Sequence, residues 1–325
     1  SLSVKKIIRN KNINFLNDQK ILKIFCQFKK FLVSKGSYAV AVSGGPDSLA
    51  LAFFAKCFSI INKNDIKFYI IDHKLRKESS KEAKLVKSKL SKFSINCKIL
   101  VWHGKKPKSN IQAEARKKRY SLLLSQCKKD KIKNLLLGHH ADDLYENFLI
   151  RLLRGSGLKG ITSFGEISEY HKSDIKIIRP LINLNKIDLI YISKKIFNFF
   201  ISDPSNLNED FKRIRIRNLL KTLEKEGLDK KKLALTIKNL KDSNDTLNFY
   251  LKKNLFENSY HLKEENNFIL NKDFFNQPNE IIFRSLSVIL RDINKRYYPP
   301  RGKKIENLIR KLKFNVNGKF TLGGC

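Results

Sequence analysis

The first two-thirds of the chain alternate short apolar runs with stretches of helical periodicity. The runs that read as buried strands cover 38–42, 67–72, 97–102, 134–138 and 175–180. Between them, apolar residues three or four positions apart predict helices at about 48–58, 79–93, 111–127 and 142–154. Strands that alternate with helices are typical of a parallel sheet covered by helices on both faces. The pattern therefore predicts an α/β fold for this region.

Polar clusters directly follow three of the predicted strands. They are Ser43–Ser48, Asp72 with His73, and His139–Asp143. Because ligands of parallel sheets bind beyond the carboxyl ends of the strands, we expect these clusters to form one shared site. For Asp72 and His73 two interpretations stay open, contact with an adenine or ribose and simple capping of a turn.

The character of the chain changes after residue 206. A basic segment, FKRIRIRNLLKTLEKEG, leads into Lys-rich sequence with a mostly helical pattern up to about residue 310. An Asn-Gly pair separates two apolar runs in FNVNGKFTL (314–322), which is typical of a β-hairpin. We predict a catalytic domain over 1–220, a smaller, mainly helical domain over 228–312, and the start of a third domain over 313–325. The chain contains no methionine and ends abruptly, so we expect a fragment of a longer protein.

The charge balance favours a polyanionic partner. The chain has 67 Lys and Arg against 30 Asp and Glu, a formal net charge of +37. AT-rich codon usage also produces Lys-rich sequences, so the charge alone does not decide between nucleic acid and an acidic membrane.

The remaining composition indicates a cytoplasmic protein without a membrane partner. No apolar run has the length of a membrane span, and the N-terminal residues lack the apolar core of a secretory signal. The five cysteines form no CxxC pair and no zinc spacing, which fits free thiols in a reducing compartment. A homodimer stays open, because nothing in the pattern of the chain determines the oligomeric state.

The segment SGGPDS, residues 43–48, has the composition of a phosphate-binding loop. Adjacent glycines let backbone N–H groups close on an anion, and the start of the following helix adds partial positive charge. The lysine of a Walker A loop is absent. Asp47 would repel phosphate unless a bridging Mg²⁺ neutralises it. We predict that the nucleotide contacts Ser43, Gly44, Gly45, Pro46, Asp47 and Ser48.

A second candidate cluster lies on the helix that begins at Asp142. Asp143 and Glu146 are three residues apart and share one helix face. Two carboxylates in this arrangement suit a metal ion, a general base or a bound ammonium group. The helix dipole explains acids in the first turn but not Glu146. Of the two preceding histidines, we expect one to act in the site.

The loop Ser-Gly-Gly-x-Asp-Ser resembles the signature of the PP-loop, or N-type ATP pyrophosphatase, superfamily. The stretches that resemble one member, the tRNA(Ile)-lysidine synthetase family, are IDHKLR (71–76), NIQAEARKKRY (110–120), GHHADDLYENFLIRLLRGSGLKG (138–160), DPSN (203–206) and RIRIRN (213–218). This resemblance implies an adenine-nucleotide α-hydrolase-like fold and cleavage of ATP between its α- and β-phosphates, so that the loop holds pyrophosphate and needs no Walker lysine.

The resemblance also implies a defined ligase reaction in tRNA processing. ATP, with Mg²⁺, would adenylate C2 of the wobble cytidine in a CAU-anticodon tRNA(Ile). The ε-amine of free L-lysine would then displace AMP and give lysidine. The implied partners are therefore lysine and tRNA(Ile), and we expect the basic helical domain over 228–312 to bind the tRNA.

The resemblance assigns roles to individual residues. It gives Asp143 and His139 catalytic roles, and it places Glu146 and Arg116 in lysine binding. Arg215 is the candidate that stabilises charge on the leaving AMP or the target nucleotide. The family pattern reads Arg-Asn-Arg-Ile-Arg, so Ile214 departs from it. The alternation of arginine with isoleucine fits either a strand with a basic face or a helix.

Three other functions compete with this interpretation. Thiolating PP-loop enzymes that use a cluster or persulfide need paired cysteines near a motif, which this chain lacks. A small-molecule amidating ligase fits the basic tail and the 138–160 block poorly. A non-catalytic RNA-binding protein would be expected to have lost Asp47, Asp143 or His139, and all three are present.

Overall fold

A computed structural model describes residues 11–74, 78–104, 111–169, 174–202, 208–294, 299–314 and 318–325. The chain divides into two compact units, Ser1–Leu233 and Ala234–Cys325. Among the described residues, no helix combines the length and the apolar character that crossing a membrane requires.

The first unit contains the alternating strands and helices. Its strands are β1 (Tyr38–Val42), β2 (Ile66–Asp72), β3 (Cys97–Val101), β4 (Asn134–Leu136), β5 (Ile167–Glu169) and β6 (Lys176–Ile178). Its helices are α1 (Lys11–Asn14), α2 (Gln19–Lys29), α3 (Pro46–Asn62), α4 (Ser79–Ser91), α5 (Ile111–Lys129), α6 (Ala141–Leu152), α7 (Leu158–Ile161), α8 (Lys186–Phe197) and α9 (Lys212–Lys225). The five predicted strands and the four predicted helices are confirmed, while the edge strand β5 and helix α8 were not predicted.

The six strands form one sheet in the order β3-β2-β1-β4-β6-β5. All neighbouring strands are parallel except β5, which runs antiparallel to β6. The chain proceeds outward from β1 to β3 and then returns to the other side of β1 at β4. Connections that leave β1 and β4 in opposite directions open a crevice between their carboxyl ends. This switch point is where the site lies.

Helices cover both faces of the sheet, as the continuous apolar runs predict. Helix α3 is buried on nearly all sides, with Leu51, Phe53 and Phe54 fully inaccessible to solvent. It belongs to a core that also includes residues of α2, α4 and α8. On the other face, Leu123 and Cys127 of α5 pack against the sheet in a second core. The central position of α3 fixes its N-terminus at the switch point.

The second unit is mainly helical and also contains a hairpin. Helix α10 (Lys230–Asn258) runs into this unit and is followed by strands β7 (Ser259–Leu262) and β8 (Asn267–Leu270), then α11 (Asn279–Ile293) and α12 (Gly302–Phe314). The antiparallel pair β7–β8 was not predicted. The hairpin predicted for 314–322 lies partly outside the described residues, and 318–325 contain no strand.

Candidate active site

The loop after β1 is shaped by a glycine that no other residue replaces easily. Gly44 has φ +86°, a conformation that L side chains rarely adopt. A Cβ at this position would lie 2.6 Å from the Val86 side chain. The Gly44 carbonyl accepts a hydrogen bond from the Ile201 N–H at 2.9 Å. The loop is therefore held by contacts on both sides.

Ser48 closes the loop from the inside. Its buried hydroxyl accepts the N–H groups of Ser43 and Gly44, each at 3.1 Å, and donates to the Gly45 carbonyl at 3.0 Å. These contacts show Ser48 shaping the loop, so its expected contact with a nucleotide stays a prediction. Helix α3 begins at Pro46, and the N–H groups of its first turn have no acceptor within the helix. Those groups are the ones available to an anion.

A cavity of about 420 Å³ opens at the switch point. Its wall includes Ser43 and Asp47 of the loop, His73 after β2, Arg119 of α5, and Gly138 and His139 after β4. This volume lies in the range of small-molecule binding sites. The structure thus brings together the three polar clusters that the sequence analysis expected to meet.

Asp47 presents a buried carboxylate oxygen to this region. Its Oδ1 has no hydrogen-bond partner among the described residues, and burial raises the pKa of the carboxyl group. Its Oδ2 lies 3.7 Å from the Nε2 of His140. A buried, unpartnered carboxylate oxygen fits a divalent cation. Within the described ranges no group of three or more His, Cys, Asp or Glu residues could hold a metal, so phosphate oxygens and water would supply the other ligands.

Gly138 is a site residue to which the sequence analysis assigned no role. A Cβ at Gly138 would lie 3.0 Å from the main-chain carbonyl of Asp47 and from the Ser48 nitrogen. The loop after β4 therefore packs directly on the start of α3, a close approach that requires glycine. Its position at the end of a predicted strand was the one available signal.

The two histidines after β4 have different environments. His140 is the N-cap of α6: its Nδ1 accepts the Asp142 N–H at 3.3 Å, and its own N–H donates to Asp143 Oδ2 at 3.0 Å. His139 lines the cavity, and its buried Nδ1 has no partner among the described residues. Burial lowers the pKa of His139 to about 3, so its imidazole is neutral at pH 7.

The RIRIRN segment is helical, because residues 213–218 lie within α9. Asp143 and Glu146 face this helix. The Nε of Arg213 donates to Glu146 Oε2 at 2.6 Å, and its Nη2 donates to Asp143 Oδ1 at 2.8 Å. The Nε of Arg217 donates to Glu146 Oε1 at 2.8 Å. Glu146 is fully buried, so its charge is compensated by these two arginines. The predicted carboxylate pair exists and binds cationic groups.

The pKa of Asp143 lies below its ordinary value despite burial. Burial opposes ionisation, but the guanidinium of Arg213 and the N–H of His140 favour the carboxylate. Asp143 is therefore charged at neutral pH.

Arg215 bonds main-chain carbonyls, and its expected role in stabilising the leaving AMP or the target nucleotide stays a prediction. Its Nη1 donates to the main-chain carbonyls of Glu209 and Asp210 at 2.8 and 2.9 Å. Arg213 and Arg217 are the arginines that contact Asp143 and Glu146, because the two lie one helical turn apart on the same face of α9.

Of the other predicted residues, His73 lines the cavity, while Arg116 and Asp72 bond neighbouring side chains. Arg116 packs on the ring of Tyr120, 5.1 Å from its centroid, and donates to the Tyr120 hydroxyl at 3.3 Å. Asp72 accepts hydrogen bonds from the Ser79 and Ser80 hydroxyls, so it ties the end of β2 to the first turn of α4. His73 lines the cavity, and burial lowers its pKa to about 4. The DPSN segment, 203–206, lies outside the described residues.

The cysteines are free and stand apart from this chemistry. Cys57, Cys97 and Cys127 are buried, and burial raises the pKa of Cys97 and Cys127 to about 12. Thiols with such pKa values are poor nucleophiles. Among the described residues that line the cavity, none is a cysteine.

A phosphate-binding loop at the switch point of a mostly parallel sheet, faced by a carboxylate pair, defines a PP-loop protein. The family model described as PP-loop domain matches residues 14–223. The chain is 43% identical over 185 residues to the tRNA(Ile)-lysidine synthase of Orientia tsutsugamushi (strain Boryong), covering 57% of this chain and 41% of that protein. It is 33% identical over 291 residues to the tRNA(Ile)-lysidine synthase of Wolbachia pipientis wMel, covering 88% of this chain and 67% of that protein. The chain belongs to the tRNA(Ile)-lysidine synthase family.

The matches span only part of these relatives, 41% of the first and 67% of the second. Among solved structures, the chain is similar to the U34-tRNA thiolase NcsA from Methanococcus maripaludis, with a TM-score of 0.58 and 18% sequence identity. That similarity covers 69% of this chain and 80% of the thiolase and shows a shared fold.

Proposed function

We propose that this chain ligates free lysine to C2 of the wobble cytidine in CAU-anticodon tRNA(Ile), with ATP as the activating substrate. One observation carries the proposal. The Nε2 of His140 lies 3.7 Å from Asp47 in the nucleotide loop and 3.6 Å from Asp143 in the carboxylate pair. Groups suited to a phosphate and groups suited to an amine therefore meet at one edge of the sheet.

The loop side suits adenylation of the cytidine. The first turn of α3 offers N–H groups to the departing pyrophosphate, and Gly138 and Ser48 hold that turn in place. The unpartnered Oδ1 of Asp47 would hold Mg²⁺, which when bound neutralises charge on the phosphates. Oxygen O2 of the cytidine attacks the α-phosphate, and pyrophosphate leaves.

The carboxylate side suits the lysine step. Asp143 and Glu146 already bind guanidinium groups, which stand in for the ammonium group of the substrate. We assign Asp143 to hold the ε-amine and to accept its proton as the new C–N bond forms and the bond from C2 to the AMP oxygen breaks. Glu146 would fix the two arginines and complete the ammonium site.

The remaining roles follow from placement around the cavity. His139 is neutral and would contact the activated base by a hydrogen bond. Arg116 would hold the lysine carboxylate. Arg213 is better placed than Arg215 to stabilise charge on the leaving AMP or the target nucleotide, because Arg213 contacts Asp143. The catalytic role of Arg215 stays a prediction.

A tRNA is a polyanion, the kind of partner that the formal net charge of +37 favours. Free buried thiols support a cytoplasmic location. The homodimer stays a prediction as well. Sulfur transfer, the chemistry of the rival thiolases, is disfavoured because none of the described residues that line the cavity is a cysteine.

The test combines the purified chain with ATP, Mg²⁺, labelled lysine and a CAU-anticodon tRNA(Ile) transcript. We expect label in this tRNA with an equal amount of AMP, no label in a tRNA(Met) transcript, and loss of both products on chelation of Mg²⁺. Asp143→Asn should abolish labelling and leave tRNA binding nearly intact. AMP without label in tRNA would indicate another acceptor, and wild-type turnover by the Asn variant would refute the role of Asp143.

A further inference from the structure

Arg179 is a buried arginine that directly follows β6. The neighbouring strand β4 is followed by the two histidines, His139 and His140. The Arg179 side chain is only 4% exposed. Its Nη1 donates to the Gly165 carbonyl at 2.8 Å and to the Ser168 hydroxyl at 3.0 Å, and its backbone N–H donates to the Glu166 carbonyl at 2.7 Å. These contacts fix the segment between α7 and β5 against the end of β6.

The same guanidinium packs on an aromatic ring that contacts His139. The Arg179 guanidinium carbon lies 4.6 Å from the centroid of Phe164, in cation–π geometry. Phe164 meets the His139 ring edge to face, with the centroids 5.3 Å apart and an interplanar angle of 75°. The Leu137 N–H donates to the Ile178 carbonyl at 3.0 Å, so the strand ends that carry His139 and Arg179 are directly tied.

We propose that Arg179 is a positioning residue that acts through Phe164 to fix the orientation of the His139 imidazole in the cavity. The inference rests on the proposed function, in which His139 touches the activated base. Arg179 does not itself reach the substrate in this assignment. It determines which way the free Nδ1 of His139 points.

The cost of burying Arg179 supports a functional role. Its side-chain hydrogen-bond partners are a main-chain carbonyl and hydroxyl groups, including that of Tyr120, and its Nε has no partner among the described residues. A buried cation without a bound carboxylate destabilises the folded state relative to an apolar side chain of similar size. Packing alone would favour leucine or methionine here.

Electrostatics point in the same direction. Burial is the main cause of the low pKa of His139, and the carboxylate of Asp143 partly opposes it. The cations that face the imidazole and lower its pKa further are Arg179, Arg116 and Arg213. Arg179 therefore helps to keep His139 neutral, in the form that can accept a hydrogen bond.

The test uses Arg179→Gln and Arg179→Lys in the full chain. His139 is followed by NMR of its imidazole nitrogens across pH, with the signal assigned by a His139→Gln variant, and turnover is measured in the lysine-labelling assay. The matched control is Arg284→Gln in the second unit. Arg284 is also buried, at 5% exposure, and bonds Asn244 at 2.8 Å.

We expect Arg179→Gln to raise the pKa of His139 by about one unit, which is roughly the effect of removing a charge about 10 Å away at an effective dielectric constant of ~20. Turnover should fall at least about tenfold, as expected for a misplaced catalytic group, with little change in KM for ATP. Arg179→Lys keeps the charge but loses the planar stack, so it should keep the low pKa and still lose turnover. Arg284→Gln should change neither.

Two outcomes overturn the proposal. Unchanged turnover and an unchanged His139 pKa in Arg179→Gln would show that the arginine is only structural. An equal loss of activity in Arg284→Gln would attribute the effect to general destabilisation. The NMR titration does not depend on the reaction, so a changed His139 signal in a chain that modifies no tRNA would contradict the proposed function while supporting the contact pathway.

Discussion

Replacing Gly138 by alanine tests whether the loop after β4 holds the nucleotide site in shape. The added methyl group would lie 3.0 Å from the main-chain carbonyl of Asp47 and from the Ser48 nitrogen. Ordinary van der Waals contact begins near 3.4 Å, so the start of α3 must move by a few tenths of an ångström. Both partners are backbone atoms in tightly packed elements, and neither can rotate away. Overpacking of this kind costs about 1–3 kcal/mol.

The strain falls on the first turn of α3, whose N–H groups we assign to the phosphates. If the whole overpacking cost of about 1–3 kcal/mol appears as weaker ATP binding, the dissociation constant for ATP should rise roughly 5- to 150-fold. We would measure ATP binding by calorimetry and the free energy of unfolding by urea titration on the same samples. Gly302→Ala is the matched control, because its methyl group would meet the Phe283 ring at an ordinary 3.5 Å. Wild-type ATP affinity and unchanged stability in Gly138→Ala would refute the reasoning.

Two further predictions concern buried charge. Glu146→Gln should lower the free energy of unfolding by roughly 3 kcal/mol, because it leaves Arg217 without its carboxylate and Arg213 paired with Asp143 alone. Urea titration checks this, and Glu280→Gln, which removes an exposed partner of Arg284, should cost under about 1 kcal/mol. An equal loss in both variants would contradict the buried network. His139 and His73 have folded-state pKa values of about 3 and about 4, below the ordinary histidine value of 6.5. The unfolded chain therefore binds more protons, so stability should be complete above pH 6.5 and fall as the pH drops toward 4. His139→Gln should flatten this decline, and an unchanged slope would count against a buried neutral histidine.

Local patterns were enough to predict the sheet and the main clusters. Asp143 and Glu146 were placed on one helix face by spacing alone, and that face is the one in the site. The basic segment shows the limit of this reasoning. Alternating arginine and isoleucine fit both a strand and a helix, and only the tertiary fold selects the helix. In a helix, positions 213 and 217 share a face while 215 points away, so Arg213 and Arg217 are the arginines that contact the carboxylates.

Features that depend on distant neighbours had no local signal. The need for glycine at 138 comes from the backbone of Asp47, some ninety residues earlier, about which the sequence around 138 carries no information. The role of Arg179 depends on Phe164 and on the pairing of β6 with β4. Strand β5 has only three residues, too few for an alternation to be recognised.

The reciprocal cap at the start of α6 links the Asp143 carboxylate to a single amide proton. The N–H of His140 is satisfied by Asp143 Oδ2 at 3.0 Å, so this proton exchanges with solvent slowly only while the carboxylate stays in place. A ligand ammonium that draws Asp143 away would release it. The hydrogen-exchange rate of one backbone amide thus reports how often the site opens, in unlabelled protein and without turnover.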